Sequence, residues 1–176
     1  FDKNAVFLGN QFYRDAKFYK AEFSGITYFS MSHFRGDASF GDTQFKDTAH
    51  FDYCLFDKYS DFRYADFDKD ANFRGTQFQG SADFRDSILN GDSDFLETKY
   101  ATDFDVRGMK FSILWVNWPS IADYLISDGP VYLQLIKNFK NLEQFDEAIE
   151  CYYKYRLFSM DERSWSDTQK YLDALA

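Results

Sequence analysis

The sequence predicts an all-β solenoid of about five coils followed by a small α-helical C-terminal cap. Three observations carry that prediction: a phenylalanine comb of eleven-residue period, a column of small residues locked to it, and a change to helical apolar spacing after residue 111. Phenylalanine stands where other proteins put leucine. With 22 Phe, 13 Tyr and 3 Trp in 176 residues, the 22% aromatic share is far from average globular usage. At 45% hydrophobic the chain is too apolar for disorder, and two Cys are too few for a disulfide scaffold. No run of about 18 apolar residues marks a membrane span, and no basic-then-apolar start marks a signal peptide. The chain begins at Phe1 rather than Met, so a fragment of a longer protein is expected.

The comb runs from Phe1 through Phe7, Phe12, Phe18 and Phe23 to Phe84, its steps alternating six and five without a slip. Leu89, Phe95, Tyr100, Val106 and Phe111 continue the register with looser chemistry. A helix cannot use this pattern. At about 100° per residue, steps of five and six rotate by about 140° and 240° and scatter the rings over opposite faces. One long strand fails too, because an odd step followed by an even one swaps faces at every other unit. A chain that turns a corner at each unit and points one ring inward from each side satisfies both steps.

Two residues before each large residue from Phe7 to Tyr100 stands a small one: Ala5, Ala16, Ala21, Thr27, Ser32 and so on to Thr98, with Asn10 the one exception among eighteen. Close packing in a narrow coil leaves no room for two large side chains per side, so the small column is the required partner of the comb. Gly and charged residues after the rings, as in Arg35-Gly36 and Gln79-Gly80, suit exposed tight corners.

Ala71-Asn72-Phe73-Arg74-Gly75 and Ala82-Asp83-Phe84-Arg85-Asp86 show the small, Asp/Asn, Leu/Phe, variable, variable unit most cleanly. Across residues 1–111 the chain thus resembles the pentapeptide-repeat family. The resemblance implies a right-handed quadrilateral β-helix, four units per coil, with short strands stacked at about 4.8 Å. The chain departs from the family by one extra residue in every second unit, at Asp15, Ile26, Asp37 and every eleventh residue on to Asp92. Four units then take 22 residues, and residues 1–111 make about five coils. Inward ladders are expected from Phe7, Phe29, Phe51, Phe73 and Phe95, and from Phe12, Phe34, Phe56, Phe78 and Tyr100, around a dry core with no substrate cavity.

After Tyr100 the small column fails at Phe104 and Met109, and Ile113, Leu114, Trp115, Val116 and Trp118 form an apolar cluster at the coil's end. The spacing of Tyr132, Leu135, Ile136 and Phe139, then Phe145, Ala148, Ile149 and Tyr152, is helical. The domain boundary is placed between 1–111 and 112–176, with helices near 119–127, 130–141, 143–159 and 164–175. Residues 132–156 are similar to a single tetratricopeptide-like hairpin with Ala148 at the small packing position, though Ile136 and Tyr155 depart from it. The stretch from Phe145 through Ala148 and Cys151 to Arg156 is also similar to a segment that follows Phe-rich repeats in prokaryotic proteins continuing into a membrane channel-like region. That resemblance implies a downstream membrane domain with this module on its cytoplasmic side.

No catalytic constellation is found, and no cofactor is expected. His33 and His50 each precede an inward ring, so both face outward, in different columns. Cys54 sits in the small column and Cys151 in a helix, one thiol in each region, so no disulfide is expected and a reducing, cytoplasmic compartment fits. Asp66, Asp68, Asp70 and Asn72 have the spacing of a calcium loop, but Phe73 occupies its glycine turn and Gln79 its last ligand position, so no metal site is expected.

Charge is the surface property with functional content. Between residues 37 and 70 four cations meet nine Asp, in a chain of net charge -9. Such a surface repels nucleic acid and can attract a basic protein. The expected interaction surface is Asp42, Asp47, Asp52, Asp57, Asp61, Asp66 and Asp68, with Trp115 and Trp118 at the coil's end as a homodimer contact. The leading expectation is a non-enzymatic structural or protein-interaction module; the family resemblance supplies an alternative, a DNA mimic that binds DNA gyrase. An ice-binding surface is discounted, because Thr27, Thr43, Thr76 and Thr98 fall in the inward column.

Overall fold

The computed structural model describes residues 1–173, with side chains through Met160. The chain forms two compact units, Phe1–Asp128 and Gly129–Ala176.

The first unit is a parallel coil. Ala5 stands opposite Thr27, Gln11 opposite His33, Ala16 opposite Ala38 and Glu22 opposite Gln44, each pair 22 residues apart. Four ladders of short strands result. One runs from Gln11–Phe12 to Lys99–Tyr100, and another, six strands deep, from Ala16–Lys17 to Leu125–Ile126. The remaining two merge into one nine-stranded sheet, because the seven-residue strand Ile88–Asp94 carries pairing around a corner.

The coil therefore turns about six times, one more than the comb indicates. Backbone pairing outlasts the sequence pattern: Phe104 and Asp105 pair with Leu125 and Ile126, where neither column continues. For the same reason the compact unit runs past residue 111 to Asp128. The last coil is also shorter. Leu89 faces Phe111, a step of 22, but Asp92 faces Ile113, a step of 21, so a bulge between Leu89 and Asp92 absorbs the extra residue.

The helix expected over 119–127 is corrected to a single turn, α1 (Trp118–Ile121), with the strand Leu125–Ile126 after it. Pro119 is well suited to open a helix. The pairing of Leu125 and Ile126 with the coil then overrides helical spacing. In the second unit α2 spans Gly129–Asn141 and α3 Phe145–Asp173. One continuous helix thus replaces the two expected over 143–159 and 164–175. No Gly or Pro intervenes to stop it, and Ser159 is accommodated by donating to the Arg156 carbonyl at 3.0 Å. Residues 174 and 175 of the expected last helix lie outside the described residues. Between α2 and α3, Glu143 at φ 60° lets the Gln144 N–H donate to the Phe139 carbonyl, a left-handed helix stop.

The comb fills the coil as the spacing requires. Every Phe from Phe23 to Phe84 is less than 2% exposed. Along each ladder the rings stack, for example Phe34 on Phe56 at 4.6 Å and Phe51 on Phe73 at 4.9 Å, with planes within 5°. Across the coil they meet edge to face, as Phe62 does with Phe51 at 5.4 Å and with Phe73 at 5.3 Å. Both geometries are the favourable ones for aromatic quadrupoles.

The small column has two uses. Half of it, such as Ala38, Ala49, Ala71 and Ala82, only makes room. Others close hydrogen bonds: Ser32, Thr43, Cys54 and Thr76 donate to the carbonyls of Phe7, Phe18, Phe29 and Phe51 one coil below, at 2.6, 2.8, 3.0 and 2.6 Å. These donors follow a left-handed corner that recurs every eleven residues, at Gly9, Lys20, Met31, Asp42, Tyr53, Tyr64, Gly75, Asp86, Glu97 and Gly108. At Gly75 the alternative is closed, since a Cβ there would lie 2.5 Å from the Tyr53 ring.

Two positions of the coil break the pattern at a cost. Among the described residues the buried hydroxyls of Ser93 and Tyr100 have no hydrogen-bond partner, although the Tyr100 ring stacks on Phe78 at 5.4 Å. Tyr100→Phe is expected to raise stability by about 1 kcal/mol or more, because it removes an unsatisfied polar group while keeping the ring. Thermal unfolding of the two proteins checks this, and a lower Tm in the variant would show that the hydroxyl is bonded.

Candidate interaction surfaces

Alternation along each two-residue strand sends one side chain inward and its neighbour out, so the outward residues form columns spaced by 22. The acidic band is distributed over these columns. Asp52, Asp57, Asp61 and Asp66 each stand on a different ladder face, so the charges form a belt around the coil and share no single face. Most are already engaged. Asp52 accepts from the Ser30 hydroxyl at 2.7 Å and lies 3.8 Å from His50 Nδ1. Asp57 meets His33 Nε2 at 2.8 Å, Asp68 meets Lys46 Nζ at 3.3 Å, and Asp66 accepts from Asn90 Nδ2 at 3.3 Å. Asp47 accepts from the Thr48 N–H. Asp42 is exposed at a left-handed corner.

Asp61 is a correction to the expected surface: it is 8% exposed and held by Arg63 through Nε and Nη2, both at 2.9 Å. Trp118 is another, at 3% exposed, because α1 tucks it in beside the last coils; Trp115 is 38% exposed. The calcium-like residues are likewise divided, with Asp70 Oδ1 accepting from the Asp92 N–H and Asn72 Oδ1 from the Arg74 N–H. Among the described residues no group of three or more His, Cys, Asp or Glu could hold a metal ion.

Sequence reading missed an ion ladder. Asp61, Asp83 and Asp105 stack in one column and pair with Arg63, Arg85 and Arg107 at 2.9, 2.7 and 2.6 Å. The first two Arg also reach toward the next carboxylate: Arg63 is 3.7 Å from Asp83 and Arg85 3.5 Å from Asp105. Tyr59 adds its hydroxyl to Asp83 at 2.7 Å. The signal was present as Asp-x-Arg repeated at 22-residue spacing.

Burial alone would raise the Asp83 carboxyl, but hydrogen bonds from Arg85 and Tyr59 outweigh it and hold the group below its ordinary value of 3.8. A depressed carboxylate contributes stability that is full above that value and is lost as pH falls through its folded pKa. Asp66 has the opposite sign, since burial and then the neighbouring Asp68 raise it. Asp83→Asn is therefore expected to cost about 1–3 kcal/mol at neutral pH and to flatten the acid limb of the stability curve. Asp66→Asn is expected to stabilise at neutral pH. Denaturant melts at neutral and acid pH check both signs.

The openings on the coil are surface clefts. One of about 590 Å³ lies around Tyr13, Arg14, Lys17, Arg35 and Lys58, where Gly36 packs closely on the Arg14–Asp15 backbone and Arg35 sits 5.0 Å from the Tyr13 ring centre. Another of about 180 Å³ lies between Tyr19, Asp42, Arg63 and Tyr64. Burial pushes the thiols of Cys54 and Cys151 up to about 12, so neither is a nucleophile at neutral pH. Among the described residues no helix is long and apolar enough to cross a membrane.

A parallel coil sealed by stacked rings, whose variable residues all point outward in columns, is a β-solenoid repeat protein. The family model for pentapeptide repeats (9 copies) matches residues 7–55 and 51–99. The chain belongs to the pentapeptide-repeat family. No curated protein and no solved structure matches it.

Proposed function

We propose that the chain is a non-catalytic protein-interaction module, a stiff coil that presents outward columns to a protein partner. The observation that carries this reading is the dry ring core: with the interior filled from Phe23 to Phe84, the coil offers chemistry only through its columns and corners. Exposed Tyr13, Tyr19, Met31, Tyr53 and Tyr64 at those corners supply the large, low-entropy contacts that interfaces favour. Engagement of the acidic residues by Lys46 and Arg63 speaks against a DNA mimic, which needs uncompensated charge along one face. Two free, separately buried thiols support a reducing, cytoplasmic setting.

The test is a set of corner variants in the intact chain, Tyr13→Ser with Tyr19→Ser and Tyr53→Ser with Tyr64→Ser, each checked for unchanged Tm. Crosslinking in the source cell that loses one defined partner in one variant and keeps it in the other supports the reading. Partner binding indifferent to every corner, or turnover by the purified chain, overturns it.

A further inference from the structure

The six arginines of the coil divide into two groups. Arg63, Arg74, Arg85 and Arg107 are each held by a carboxylate, at 2.9, 2.9, 2.7 and 2.6 Å. Arg14 and Arg35 have no carboxylate in ion-pair range among the described residues, and both line the cleft of about 590 Å³, together with the equally unpaired Lys17 and Lys58. The local cause is visible in the chain. Arg63, Arg85 and Arg107 take the Asp two residues before them, whereas Phe12 and His33 stand at that place before Arg14 and Arg35. Arg35 is held by neutral groups instead, its Nη2 donating to Gln11 Oε1 at 3.3 Å and its guanidinium lying 5.0 Å from the Tyr13 ring centre. Such contacts orient the guanidinium without cancelling its charge.

The neighbouring acids leave the cleft cationic. Asp15, the one carboxylate among its lining residues, accepts from the Asp37 N–H at 3.2 Å. Asp57 meets His33 Nε2 at 2.8 Å, and neither it nor exposed Asp37 lines the cleft. Four cations against one carboxylate leave an excess of three positive charges, in a chain of net charge -9. Arg14, Gly36 and Lys58 share one column, and Gly36 packs on the Arg14–Asp15 backbone, so the middle layer adds no side chain. The two outer cations are thus rooted two layers apart, about 9–10 Å. One phosphoryl group cannot engage cations spread over that distance. Two linked ones carry about three negative charges and reach further along the column.

We propose that this cleft binds a ligand carrying linked phosphoryl groups, a diphosphate or triphosphate, with Arg14 and Arg35 as forked donors and Lys17 and Lys58 as point charges. The cleft volume falls in the range of small-ligand sites and leaves room for the group that bears the phosphates. The site goes beyond the reading of the chain as a protein-interaction module and does not depend on it.

Isothermal titration calorimetry of the intact chain with pyrophosphate, orthophosphate and ADP, without divalent cations, tests it. One pyrophosphate site with a dissociation constant below about 1 mM is expected, with orthophosphate at least about tenfold weaker. Arg14→Gln with Arg35→Gln is expected to weaken pyrophosphate at least about tenfold at unchanged Tm, since both side chains are exposed. Lys69→Gln with Lys99→Gln removes two exposed, unpaired cations elsewhere on the coil and is expected to leave binding unchanged. ADP binding equal to pyrophosphate supports recognition of the phosphoryl groups alone; tighter ADP binding, with the margin lost in Tyr13→Ser, supports a nucleotide whose base meets that ring. No binding of pyrophosphate, orthophosphate binding as tightly, or equal losses in the arginine and lysine pairs overturns the proposal. The arginine variants leave Tyr19, Tyr53 and Tyr64 intact, so failure here with partner binding retained counts against the phosphoryl site alone.

Discussion

Phe62→Ala is expected to lower the unfolding free energy by about 3–5 kcal/mol, the cost of a buried ring plus the cavity it leaves. Phe62 is fully buried and stacks on Phe40 at 4.9 Å and on Phe84 at 4.6 Å, while the edges of Phe51 and Phe73 close the site from across the coil. Rings above and below are fixed at strand spacing by the backbone, so the walls cannot collapse into the hole. Phe12, in the first coil, is only half-buried and stacks on one ring of its ladder, Phe34. Phe12→Ala is accordingly expected to cost less than half as much. Urea denaturation followed by circular dichroism measures both, and equal losses would show that the coil does not transmit packing as a continuous ladder.

Ala71→Leu is expected to destabilise by about 1–3 kcal/mol, through crowding and not through a void. Ala71 is fully buried, pairs with Ala49 below and Ser93 above, and shares its layer with the Phe73 ring. The added carbons have nowhere to go except into the stacked rings. The same substitution at exposed Ala101 serves as the control and is expected to stay within about 0.5 kcal/mol. A Tm for Ala71→Leu equal to that of the control would mean that the small column is not sterically required.

Much of the coil was legible because two sequence columns report one geometric fact: each side admits one large and one small inward residue. Positions such as Phe51 and Ala49 are set by their own identity and spacing, so reading them needs no tertiary information. The last coil was hidden because Leu125 and Ile126 look helical by spacing, and only the exposed edge of Phe104 and Asp105 makes them a strand. The acidic belt was read as one surface because the sequence shows which residues point outward but not which cations reach them. Asp61 and Arg63 are two residues apart and could be paired by inspection; His33 and Asp57 meet only because 22 residues make one turn. In α3 the helical spacing groups Phe145, Ile149 and Tyr152 with Ala148, but of these only Ala148 is buried, beside Cys151, because spacing alone does not show which side of a helix its neighbour covers.

The 22-residue step makes the length of the coil a quantised property. Excising residues 29–50 would remove one layer of about 4.8 Å and bring Phe51 onto Phe7, leaving each surviving side chain on the face it had before. Excising eleven, such as 30–40, would keep every inward ring in register while turning the whole downstream decoration half a revolution. Duplication and loss in such a gene can therefore adjust reach in whole layers and orientation in half turns, independently, with no new core to invent.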